Sequence, residues 1–103
     1  MNDAFKVVDF RTTKFVMVPR SLVEDKTLKS RDKLVYMALC LYANNDTKQA
    51  RPSINTIGER VGVSRSSVIR ALEALEKAEY IARQPRYFRQ KKQTSNEYYL
   101  LDK

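Results

Sequence analysis

Arg65, Ser66, Ile69 and Arg70 recur at spacings that place their side chains on one face of a helix, and Glu73 continues that face. An arginine fork can bond both acceptors of a guanine, and an aliphatic side chain can meet a thymine methyl. These four residues therefore suit the reading of base edges in a major groove. Glu73 could accept from cytosine, or pair with Arg70 or Lys77 along the helix. A second group is purely cationic: between Arg83 and Gln93 the chain carries Arg83, Arg86, Arg89, Lys91 and Lys92 and no acidic residue. Arg86, Arg89, Lys91 and Lys92, with Arg51, Ser53 and Ser64, are the candidate phosphate contacts. Each phosphate they neutralise would release counterions and make binding salt-dependent.

Such residues act together only if the backbone brings them to one side. From Ile54 to Leu75 the sequence is a two-helix pattern, broken at Gly62 and restarted at Ser64. Ile57, Val61 and Val63 can close on Val68, Ala71, Leu72 and Leu75, while Gly58 has no side chain to obstruct two helices meeting at a sharp angle. Gly62 fits the left-handed position of a tight turn. Ser53 and Ser64 read as the N-caps of the two helices. This is the pattern of a helix-turn-helix. After Leu75 the helix runs out through Glu76 to Glu79 into a strand on which Ile81 points inward. A second strand is expected near Glu97 to Leu101, with Tyr98 and Leu100 sharing its inward face. A basic hairpin directly after the second helix makes the winged form of the motif.

Upstream, Phe5 to Val18 alternates imperfectly. A strand is expected over Phe15 to Val18, ended by Pro19, with a helical turn at Ser21 to Glu24. Ser30 reads as the cap of an apolar scaffold helix from Arg31 to about Ala43. Leu34, Ala38, Leu41 and Tyr42 form its inward stripe, widened by Val35 and Leu39. Met37 and Cys40 extend the apolar surface further, which calls for cover from the N-terminal strand or from a second subunit. Asn44 to Thr47 is a turn cluster, and Lys48 to Pro52 leads into Ser53.

Composition narrows the function. A chain of 103 residues with 43% apolar content supports one compact domain, and a net charge of +8 favours a polyanionic partner. Histidine is absent, which removes the commonest general base and metal ligand. Two glycines cannot build a phosphate-cradling loop, and the carboxylates are scattered singly. The single cysteine, Cys40, can form no internal disulfide. An enzyme is not expected, and neither a metal nor a cofactor is implied. No apolar run approaches the roughly twenty residues of a spanning helix, and the N-terminus lacks the plan of a signal peptide, so the expected location is the cytoplasm.

From Val18 to Leu101 the chain resembles the winged helix-turn-helix modules of plasmid and phage replication initiators, replisome organisers and related small regulators of Gram-positive mobile elements. The resemblance is carried by Val18-Pro19, Leu34-Val35-Tyr36, Leu41-Tyr42-Ala43-Asn44, Pro52-Ser53-Ile54, Ser64-Arg65-Ser66-Ser67-Val68 and Thr94 to Leu100. It implies a mainly α fold with a small β-sheet, a three-helix core plus a β-hairpin wing. Residues 1–103 then form one domain, with a lead-in over 1–29, a helical core over 30–79 and a wing over 80–103. The implied partner is double-stranded DNA, in replication initiation or transfer of a mobile element together with replication or transfer proteins. A small transcriptional repressor on a palindromic operator is the alternative. A third reading is a protein-interaction or RNA-binding scaffold; single-stranded nucleic acid would use exposed aromatics, for which Tyr87 and Phe88 beside Arg86 and Arg89 are the candidate platforms. Two copies of the chain would multiply the information read from a two-fold site. Phe5, Phe10, Phe15 and Met37 could make that homodimer interface or equally fill the core.

The sequence departs from such modules at two places. Glu79 stands where they usually carry glycine, and a left-handed Glu79 would be strained by about 1 kcal/mol, so the recognition helix is expected to end differently here. Further domains commonly lie beyond the winged helix, whereas this sequence stops at Lys103. It is therefore either a lone module or one piece of a longer protein.

Overall fold

A computed structural model describes residues 7–14, 16–43, 49–50, 52–87 and 93–101. In chain order the elements are α1 (Arg20–Glu24), α2 (Ser30–Tyr42), β1 (Gln49–Ala50), α3 (Ile54–Val61), α4 (Arg65–Lys77), β2 (Ile81–Tyr87) and β3 (Gln93–Leu100). Helices α2, α3 and α4 pack together, and β2 and β3 form an antiparallel hairpin to which β1 adds a third strand, in the order β1-β3-β2. The architecture is a winged helix-turn-helix, mainly helical with a small sheet.

One apolar cluster joins these parts. Val35, Tyr36, Ala38 and Leu39 come from α2, Ile57 from α3, and Val68, Ala71, Leu72 and Leu75 from α4. Tyr80, Ile81 and Tyr98 close it from the hairpin side, and Leu22 and Leu28 from the lead-in. Removing such side chains from water is the dominant favourable contribution to folding. Leu100 packs against the same cluster, as the spacing of the last strand predicts.

The inward stripe of α2 differs from the expectation. Leu34 and Leu41 are 39% and 52% exposed, while Val35, Tyr36, Ala38 and Leu39 are buried. The stretch from Leu34 to Tyr42 is apolar without interruption, so helical spacing cannot single out a face there, and packing against α3 and α4 decides it. The helix also starts one residue early. Lys29 is the N-cap, and its backbone N–H donates to Asp32 Oδ2 at 2.9 Å. A buried carboxylate in the first turn also suits the positive end of the helix dipole.

The strand expected over Phe15 to Val18 does not form at residues 16–18, and Phe15 lies outside the described residues. A strand needs a neighbouring ladder. Here the segment runs beside α2 instead, where the Cys40 thiol donates to the Met17 carbonyl at 3.5 Å. Cys40 is thus partly covered by its own chain, and that burial pushes its thiol up to about 11. The helical turn after Pro19 forms as α1, and Lys33 Nζ donates to the Val23 carbonyl at 2.9 Å, satisfying one of the end carbonyls of that helix.

Sequence reading also missed β1, whose residues Gln49 and Ala50 pair with Tyr99 and Tyr98. Two residues between polar neighbours carry no periodic signal. β3 is consequently the central strand and β2 an edge, which accounts for Pro85 within β2, because an edge position does not need its missing N–H.

Candidate nucleic-acid interface

Four small residues set the starts of α3 and α4 and the turn between them. Ser53 Oγ accepts from the Thr56 N–H at 3.1 Å and Ser64 Oγ from the Ser67 N–H at 3.3 Å, so both helices start at the predicted caps. Gly62 has φ 71° and ψ 37°, the left-handed conformation that glycine adopts without cost. The Val63 N–H then reaches back to the Gly58 carbonyl at 3.0 Å. A Cβ on Gly58 would overlap the Val63 carbonyl oxygen and stand 3.4 Å from Val68 Cγ2, so the absent side chain is what lets the turn fold over α3.

With Val68, Ala71, Leu72 and Leu75 wholly buried, α4 turns Arg65, Ser66, Ile69, Arg70 and Glu73 to solvent. Ile69 is an aliphatic side chain left 37% exposed on an otherwise polar face. Among the described residues Arg70 makes no hydrogen bond or ion pair, and Glu73 pairs with neither Arg70 nor Lys77. Arg65 is held: its Nη1 donates to Asn55 Oδ1 at 2.9 Å. These two residues border an open groove of about 420 Å³, lined also by Ile54, Glu59, Gly62, Val63 and Ser64.

At its far end α4 does not avoid the left-handed conformation. Glu79 adopts φ 67°, the one positive φ of a non-glycine among the described residues, and this corrects the expectation of a different helix end. The Glu79 N–H bonds the Glu76 carbonyl and the Tyr80 N–H the Leu75 carbonyl, each at 3.0 Å, which is the Schellman arrangement. Burial of Tyr80 and Ile81 immediately after the turn holds Glu79 in place. Arg83, from the basic stretch, is committed to α4. Its Nε and Nη2 donate to Glu76 Oε1 at 3.1 and 2.9 Å, bracing the hairpin against the helix.

The hairpin pairs Ile81 with Leu100 through to Tyr87 with Gln93, with an irregularity between Arg86 and Tyr87. Arg86 lies on β2, opposite Ser95. Its side chain, those of Tyr87 and Phe88, and the expected phosphate contacts Arg51, Arg89, Lys91 and Lys92 lie outside the described residues. Sequence reading did not single out Asn55, nor Arg60, whose Nε donates to the Tyr42 hydroxyl at 2.8 Å while its guanidinium carbon stands 5.4 Å from the ring centroid. Both contacts join different helices, and spacing within one helix gives no signal of them.

Among the described residues no group of three or more His, Cys, Asp or Glu is placed to hold a metal, and no helix is long and apolar enough to cross a membrane. A family model described as a helix-turn-helix domain matches residues 26–81. Comparison with curated proteins and with solved structures found no significant match.

Proposed function

The chain belongs to the helix-turn-helix domain family, and on that premise we propose that it binds double-stranded DNA in a sequence-specific manner through α4. The observation that carries the reading is the division of α4 into a fully buried apolar face and an exposed face bearing Arg65, Ser66, Ile69 and Arg70. A helix so divided can enter a major groove roughly 12 Å wide while the core stays packed. Arg65 and Arg70 would donate to guanine acceptors, Ser66 would bond a base edge and Ile69 would meet a thymine methyl.

Phosphate contacts would flank that helix. Ser53 and Ser64 use their oxygens as caps, so the donors to phosphate at these points would be first-turn N–H groups that no helical carbonyl satisfies. Arg51, Arg86, Arg89, Lys91 and Lys92 would neutralise further phosphates, and the net charge of +8 agrees with such a partner. The role we propose is replication initiation or transfer of a plasmid, phage or other mobile element in the cytoplasm, with two copies on a two-fold site and with replication or transfer proteins as further partners. The resemblance of the sequence to modules of replication initiators and replisome organisers is what supports that role.

Mobility shifts of a duplex selected from a random pool, and of its separated strands, at two salt concentrations test the reading. The duplex should be preferred, with affinity falling steeply with salt. Arg70→Ala should lower affinity for the selected duplex about tenfold or more, the scale of a lost bidentate base contact, with no change in thermal midpoint. Unchanged binding by this variant would remove α4 as the reading element. Sequencing of captured genomic fragments tests the role: origin or transfer sites support it, and promoters would replace it by repression.

A further inference from the structure

We infer that Asn55 is a positioning residue for base recognition, holding the Arg65 guanidinium at the groove between α3 and α4 so that it meets DNA already oriented. The inference rests on the DNA-binding reading above. Arg65 is the first residue of α4 and Asn55 the second of α3, and the 2.9 Å bond from Arg65 Nη1 to Asn55 Oδ1 bridges the opening turns of the two helices. Both residues are exposed, and this bond is the one hydrogen bond or ion pair of the long arginine side chain among the described residues. An unrestrained arginine loses substantial rotamer freedom when it docks, and a bond that orders it beforehand reduces that loss.

The chemistry of the partner fits the task. A guanidinium has five N–H donors, and surrender of one to Asn55 leaves the fork that a guanine requires. An amide oxygen orients the cation without cancelling its charge. A carboxylate at the same place would neutralise Arg65 and repel the phosphates nearby. Glu59 already lines this groove, but it makes no ion pair with Arg65 among the described residues. Asn55 thereby serves specificity rather than general affinity.

A double-mutant cycle on the whole chain tests this. Wild type, Asn55→Ala, Arg65→Ala and the double variant are titrated with the duplex selected by wild type and with poly(dI-dC), and thermal midpoints are recorded. Asn55→Ala should lower the ratio of the two affinities about threefold to tenfold, while binding to poly(dI-dC), its salt slope and the midpoint stay unchanged. In the Arg65→Ala background the same substitution should have no further effect on the ratio. A ratio that is unchanged or raised by Asn55→Ala, or losses that simply multiply in the double variant, would overturn the inference while leaving DNA binding intact. A wild type that prefers no duplex would overturn the functional reading, and this inference with it.

Discussion

Helices α3 and α4 both end at a residue in the left-handed conformation, but the residue types there differ. Gly62 and Glu79 have φ of 71° and 67°, and in each case the next N–H reaches back five residues, from Val63 to Gly58 and from Tyr80 to Leu75. The residues beyond each turn are anchored differently. After Gly62 the chain passes through a partly buried Val63 and at once opens a new helix at Ser64. After Glu79, Tyr80 is buried, donates to Asp25 Oδ2 at 3.0 Å, meets Tyr36 edge-on at 6.3 Å between centroids and accepts at its carbonyl from the Leu101 N–H. A strain of about 1 kcal/mol can be carried where so many contacts fix the next residue. The first turn, lacking that anchor, uses glycine.

The largest effect should come from closing the space that the first turn needs. Gly58→Ala places a methyl group on the Val63 carbonyl oxygen, a backbone atom that cannot move aside without separating α3 from α4. A loss of about 3 kcal/mol is expected, read as a lower urea midpoint at unchanged slope. The second turn has no counterpart, since the residue that accepts there from five positions on is Leu75, which already carries a side chain. If Gly58→Ala unfolded at the wild-type midpoint, the close approach would be dispensable and the contrast between the turns would reduce to φ alone.

These turns also mark where the sequence was legible. Ser53, Gly62 and Ser64 were identifiable because caps and left-handed positions demand particular residue types. The buried face of α4 was legible from its spacing, because Glu73, Glu76 and Lys77 interrupt the apolar residues on the other side. The face of α2 was not, since nine consecutive apolar residues from Leu34 to Tyr42 offer no contrast. The conformation of Glu79 was misjudged for a related reason: local preference opposes it, and the deciding contacts come from Asp25, Tyr36 and Leu101, distant in sequence. The bond between Asn55 and Arg65 is likewise tertiary. Exposed residues of α4 could be named from spacing, but what holds them could not.

An intermediate effect is expected at Gly62. A Cβ there meets nothing within 4 Å, so Gly62→Ala tests the backbone conformation without any clash. It should cost about 1 kcal/mol, seen as a drop of several degrees in the calorimetric midpoint. The lowered stability should leave affinity for a selected duplex unchanged at temperatures well below the midpoint. A cost equal to that of Gly58→Ala would mean that the turn is limited by space at both glycines.

The smallest effect, and one of opposite sign, belongs to Glu79→Gly. Glycine relieves the left-handed strain, worth about 1 kcal/mol, but it also gives the unfolded chain more freedom, which withdraws roughly half of that gain. Net stabilisation of about 0.5 kcal/mol should appear as a slightly higher guanidinium midpoint. Because Arg83 still braces the hairpin on Glu76, and Tyr80 still fixes the chain after the turn, DNA affinity should not change. A destabilised Glu79→Gly variant would show that the glutamate side chain contributes more to the fold than its backbone conformation costs. Weaker DNA binding at raised stability would show instead that the strained turn aims the hairpin, making the second helix end part of the interface.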